Sequence, residues 1–172
     1  SLNNVSIQLG DLGRQEAALA ASYEATIRFR QLAQAQPEIF LPDLARCLFT
    51  FGQQLSGAGH TNDAFEATQE GTDICRQLAE ARPDAFRVDL ATGLSRLGVL
   101  LGALGRPQEA LSAEEESTGI RRELARSRPE SFLVDLASSL SNLSVRLHAV
   151  GRQGDARAAA EEAVEKLRGA VV

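Results

Sequence analysis

Between Val88 and Gly105 the apolar positions Leu90, Leu94, Leu97, Leu101 and Leu104 return at steps of three and four, the period of one helical face. Gly105-Arg106-Pro107 closes the segment, since glycine suits a helix end and proline the first turn of the next helix. A second run from Gln108 to Ser127 keeps Ala110, Leu111, Ala113, Ile120 and Leu124 on its apolar side. Arg128-Pro129 stops it, because the residue before a proline is pushed out of the helical region. The pattern predicts a helical hairpin.

That hairpin recurs at a fixed step of 46 residues. Gly13-Arg14, Gly59-His60, Gly105-Arg106 and Gly151-Arg152 lie on this step, as do Pro37, Pro83 and Pro129, and the triplets that open at Asp43, Asp89 and Asp135. Self-similarity at such a period marks stacked units, none of which buries its apolar face alone. First helices are expected over 1–12, 42–56, 88–103 and 134–149, and second helices over 15–35, 62–81, 108–127 and 154–168. Phe40, Phe86 and Phe132 fall just before first helices and are expected to be buried in loops, plugging the gap between hairpins. Small residues form rows: Ala18, Ala64, Ala110 and Ala156; Ser6, Gly52, Gly98 and Ser144; Ala25, Gly71, Ser117 and Ala163. Glycine inside a helix costs about 1 kcal/mol relative to alanine, so these rows imply close packing between helices.

Composition narrows the chemistry. Seven Phe, one Tyr and no Trp leave a core of Leu, Ala and Val. A net charge of −5 offers no basic footprint for nucleic acid, and no apolar run is long enough for a membrane span. Cys47 and Cys75 read as small buried hydrophobes of a reducing, cytoplasmic setting. His60 and His148 stand far apart with no metal-ligand spacing, and neither a phosphate loop nor a nucleophile–base pair is legible. Neither a cofactor nor catalysis is expected. The chain opens inside a repeat and has no methionine, the pattern expected of a segment of a longer array.

The rows resemble tetratricopeptide repeats, whose pattern runs large residue, Leu, small residue, large residue, Ala, small residue. Leu94, Leu97, Gly98, Leu101, Ala110 and Ser117 match it in order, as do Leu140, Leu143, Ser144, Leu147, Ala156 and Ala163. The other copies are Leu48, Phe51, Gly52, Leu55, Ala64 and Gly71, and Leu2, Val5, Ser6, Leu9, Ala18 and Ala25. The unit is longer than the roughly 34-residue standard repeat. Arg122 stands where the family usually has proline, which follows later as Pro129. Segments such as Asp135–Ser144 resemble the elongated repeats of kinesin light chains and the repeat tails of bacterial and fungal nucleotide-binding regulators. The resemblance implies an all-α fold, a right-handed α-solenoid of antiparallel helical hairpins. One domain over 1–172 is expected, with a partial repeat over 1–36 and repeats over about 37–82, 83–128 and 129–172.

It also implies a concave groove lined by first helices. The matching positions are Asn3, Asn4 and Ile7; Arg46, Phe49, Thr50, Gln53 and Ser56; Thr92, Ser95, Arg96, Val99 and Gly102; and Ser138, Ser141, Asn142, Val145 and His148. No Asp or Glu occurs over 44–59, 90–105 or 136–151, whereas Glu66, Glu70, Asp73, Glu109, Glu114, Glu115, Glu116, Glu161 and Glu162 crowd second helices. The groove should then be neutral to basic and the outer wall acidic. A second ladder, Arg30, Arg76, Arg122 and Arg168, is expected to bridge to Asp43, Asp89 and Asp135. The function implied is protein–protein interaction: a groove for an acidic peptide or partner protein, within a larger regulatory protein. The competing reading is a homo-oligomer joined through apolar stack ends, Leu2–Leu9 and Val164–Val172.

Overall fold

The computed structural model describes residues 15–169, which fall into two compact units divided between Phe86 and Arg87. Its described residues form seven α-helices and no strand: α1 (Gln15–Ala35), α2 (Pro37–Gly57), α3 (Thr61–Ala81), α4 (Pro83–Ala103), α5 (Pro107–Ser127), α6 (Pro129–Ala149) and α7 (Gln153–Gly169). The fold is an all-α solenoid of helical hairpins. In the N-terminal unit α2 packs against α1 and α3, and in the C-terminal unit α6 packs against α5 and α7.

Two kinds of punctuation set the 46-residue step. Gly59, Gly105 and Gly151 follow the first helices with φ of 84°, 70° and 82°, a left-handed conformation that only glycine adopts without strain. Behind each, the next residue's N–H reaches back to the last turn: His60 to Leu55, Arg106 to Leu101 and Arg152 to Leu147, each at 2.9 Å. This double closure of a helix end is the Schellman arrangement. The pairs at Gly59, Gly105 and Gly151 therefore have a structural role, and Gly13-Arg14 lies outside the described residues.

At the other end of the hairpin a single residue suffices. Gln36, Arg82 and Arg128 take φ/ψ near −142°/75°, −140°/73° and −142°/73°, the extended geometry forced by the following proline. That proline then occupies the first helical turn, where its missing N–H costs nothing. The first helices thus start at Pro37, Pro83 and Pro129, each earlier than the periodicity suggested, and Pro42 lies inside α2. Phe40, Phe86 and Phe132 are consequently helical and half-buried, not fully buried in loops. Arg82 and Arg128 lay their guanidinium groups over the Phe86 and Phe132 rings, 4.9 and 5.2 Å from the centroids.

Among the described residues the small-residue rows lie inward, Ser144 half-buried and the rest buried. Ala18, Ala64 and Ala110 are fully buried and Ala156 nearly so. Gly52 is needed for close approach: a β-carbon there would meet Thr68 Oγ1 at 2.6 Å and the Ala64 carbonyl at 3.2 Å. Cys47 and Cys75 are buried and form no disulfide, and burial pushes the Cys47 thiol up to about 11. At Arg30, Arg122 and Asp43 the ladder departs from expectation. Arg30 pairs with Glu70 and Arg122 with Glu162, each at 2.6 Å between second helices, while Asp43 pairs with Arg46 of its own helix. A partner one hairpin ahead on the same layer is nearer than the start of the adjoining helix.

Candidate functional site

In the C-terminal unit α4 and α6 lie side by side. Asn142 Nδ2 of α6 donates to Ser95 Oγ of α4 at 3.2 Å, and a β-carbon at Gly102 of α4 would stand 2.5 Å from Arg146 Nη1 of α6. The shared surface carries exposed Val99 and Val145, with His148 exposed nearby on α6. Arg96, Asn142 and Arg146 are half-buried beside these valines in sequence. Burial pulls the Arg96 guanidinium below its ordinary value, and Arg146 Nε is buried without a hydrogen-bond partner.

The other expected groove residues divide. Thr92, Ser138 and Ser141 return their hydroxyls to carbonyls one turn back, at 2.9 to 3.0 Å. His148 Nδ1 meets Gln153 Oε1 at 2.9 Å, and Ser95 is buried with its hydroxyl committed inward. In the N-terminal unit Arg46 and Gln53 are exposed, Thr50 is buried against the Arg46 carbonyl at 3.1 Å, and the Phe49 ring covers Gly71. Asn3, Asn4 and Ile7 lie outside the described residues.

One residue corrects the charge reading. Glu114, placed by sequence on an acidic outer wall, has no exposed surface at all. Ser95 Oγ donates to its two oxygens at 3.0 and 3.2 Å, and Ser139 Oγ to Oε1 at 3.2 Å. Arg121 Nη1 in turn donates to Ser139 Oγ at 2.8 Å. Burial raises the carboxyl above its ordinary value, while the two hydroxyls and the charges of Arg121 and Arg146 oppose that rise. The same unit holds two apolar groups, Leu111–Leu143–Leu147–Ala156–Ala159 and Ala125–Leu136–Leu140–Ala163. The signal was available: on the 46-residue step Glu114 follows Ser22 and Thr68 and precedes Ala160, so a carboxylate occupies a row of small residues. The first helices also carry acids near their start, including Glu38, Asp84 and Glu130, because they begin earlier than the periodicity suggested.

Each unit carries an open cleft. One of about 590 Å³ in the N-terminal unit has Leu41, Phe65 and Ile74 beside Glu66, Glu70 and Asp73. The other, about 390 Å³ between α6 and α7, is lined by Val145, His148, Ala156 and Ala160 among others. Among the described residues, no group of three or more His, Cys, Asp or Glu side chains could hold a metal ion, and no helix is long and apolar enough to cross a membrane.

Comparison with known proteins bears on the fold. The family model described as tetratricopeptide repeat matches residues 90–125 and 136–171, two segments 46 residues apart. No curated protein sequence matches the chain. The crystal structure of BtubC (BKLC) from P. vanneervenii is similar over 98% of this chain, with a TM-score of 0.81 at 16% identity. The chain spans 62% of that protein, and the likeness concerns the fold alone.

Proposed function

We propose that the chain, whose residues 90–125 and 136–171 match the tetratricopeptide repeat family, a fold that generally serves protein–protein interaction, holds an acidic peptide or protein segment on its first-helix face. The observation that carries this reading is the α4–α6 surface, where Val99 and Val145 stand 53% and 60% exposed next to Arg96 and Arg146. Apolar contact supplies affinity there, and the cations favour acidic over basic partners. The residues proposed to touch the partner are Thr92, Arg96, Val99, Ser138, Ser141, Asn142, Val145 and His148, with Arg46, Phe49 and Gln53 serving the N-terminal unit. The same activity would suit the recognition segment of a larger regulatory protein in the cytoplasm.

The test compares fluorescence-labelled peptide pools rich in Asp and Glu with pools rich in Lys and Arg. The acidic pool should bind tighter, weaken with salt and be lost in Val145→Asp, a substitution at an exposed position. Equal weak binding of both pools would end the charge reading. A second reading, self-association, is favoured by Val164 and Leu167 of α7, which are 49% and 45% exposed. Light scattering over a concentration series separates the two, because a peptide receptor stays monomeric.

A further inference from the structure

We propose that Glu114, though out of reach of any partner, is a positioning residue that fixes which end of the Asn142 amide the α4–α6 surface presents. The proposal rests on that surface being the binding face. It follows from a chain of contacts running inward from Asn142 to Ser95 and then to Glu114.

A carboxylate can only accept hydrogen bonds. With both oxygens of Glu114 facing the Ser95 hydroxyl, at 3.2 and 3.0 Å, the single proton of that hydroxyl is drawn inward. Ser95 Oγ then has only lone pairs for Asn142, so the Asn142 amide must turn its NH2 end to Ser95, as it does at 3.2 Å. Oδ1 is left as the acceptor for an incoming backbone N–H. Ser139 does not compete for the Ser95 proton: it accepts from Arg121 and gives its own proton to Oε1. No apolar residue at 114 would impose this order. Thr68 and Ser22, which hold the same repeat position, are neutral and lack it.

Side-chain amide NMR of the whole chain tests the order without any ligand. The Asn142 NH2 signals, assigned by their loss in Asn142→Ala, should move in Ser95→Ala and in Glu114→Gln, with those of Gln69 in the other unit unchanged. Glu114→Gln should add nothing in the Ser95→Ala background, since the influence passes through Ser95. Unmoved Asn142 signals in Glu114→Gln overturn the proposal whatever Ser95→Ala does, because Ser95→Ala removes the direct partner of the amide. If Glu114→Gln does not fold, Glu114→Asp takes its place, since its shorter carboxylate withdraws from Ser95 Oγ, and unmoved Asn142 signals there overturn the proposal. With the acidic peptide pool, Glu114→Gln and Asn142→Ala should each weaken binding about tenfold, the scale of one hydrogen bond. Wild-type affinity in either variant overturns the proposal. A wild type that binds neither pool defeats the binding reading instead, and leaves the NMR result to stand for the Glu114–Asn142 order by itself.

Discussion

Gly98 lies directly opposite Glu114: a β-carbon on Gly98 would meet Glu114 Oε2 and the Ala110 carbonyl, both at 3.3 Å. The pair divides one space between a missing side chain and a large one. Gly52 and Thr68 divide the equivalent space one repeat earlier, whereas Ser144 faces a row position held by Ala160. Gly98→Ala should therefore destabilise the chain by about 1–2 kcal/mol despite the better helix propensity of alanine. The cost should shrink in the Glu114→Ala background, where the methyl group has room. Urea denaturation of the two single variants and the double variant checks this, and additive costs would show that the contact is unimportant.

Glu114 also gives the fold a pH signature. Its carboxyl is held above the ordinary carboxylate value chiefly by burial, so the folded chain keeps that proton to higher pH than the unfolded chain does. A group shifted in this sense stabilises fully below its unfolded value, about 4.3, and loses that contribution as pH rises through the folded value. The stability of the wild type relative to Glu114→Gln should thus increase as pH is lowered from neutral. Urea melts of both proteins across that range measure the difference. A gap that is flat, or that moves the other way, would contradict the assigned shift.

Two glycines should respond to alanine with opposite sign. Gly105 sits at φ 70°, where a β-carbon is strained whatever the surrounding space, and Gly105→Ala should cost about 1 kcal/mol. Gly119 lies inside α5, where an added β-carbon would have nothing within 4 Å, so Gly119→Ala should gain up to about 1 kcal/mol. Thermal melts of the two variants side by side are sufficient. A loss at Gly119 would mean that another surface needs that gap.

The Arg122–Glu162 pair, with side chains 39% and 31% exposed, should matter little. Partly exposed pairs contribute about 0–1 kcal/mol and are screened by salt. Glu162→Gln is expected to lower the melting temperature slightly at low ionic strength and hardly at all in molar salt. A large, salt-independent loss would indicate a role other than ion pairing.

Much of this architecture can be read from spacing. Leucines at three and four, glycine after the first helix and proline after the second fix the hairpin, because each acts on its immediate neighbours. Pro37, Pro83 and Pro129 were harder to place, since proline both stops one helix and opens the next. Only the geometry of Gln36, Arg82 and Arg128 shows that the two events are separated by one residue. The α4–α6 surface was legible as positions 96, 99, 142, 145 and 148. Ser95 and Glu114 were not, because periodicity places a residue on a face without saying whether a polar side chain there turns to water or inward to a partner on another helix. Arg121 and Ser139 are in the same case: the equivalent positions one repeat earlier are Cys75 and Gly93, which carry neither a guanidinium nor a hydroxyl.

The one-residue joints at Gln36, Arg82 and Arg128 leave no slack in the chain. Adding or removing a residue within a helix turns everything beyond it by about 100°, and a joint already stretched between two helix ends cannot absorb the twist. Insertions belong in the glycine turns, where three residues already bridge each hairpin. Elsewhere, a viable change of length has to arrive as a whole hairpin, so duplication of the complete unit is the natural way for such a gene to grow.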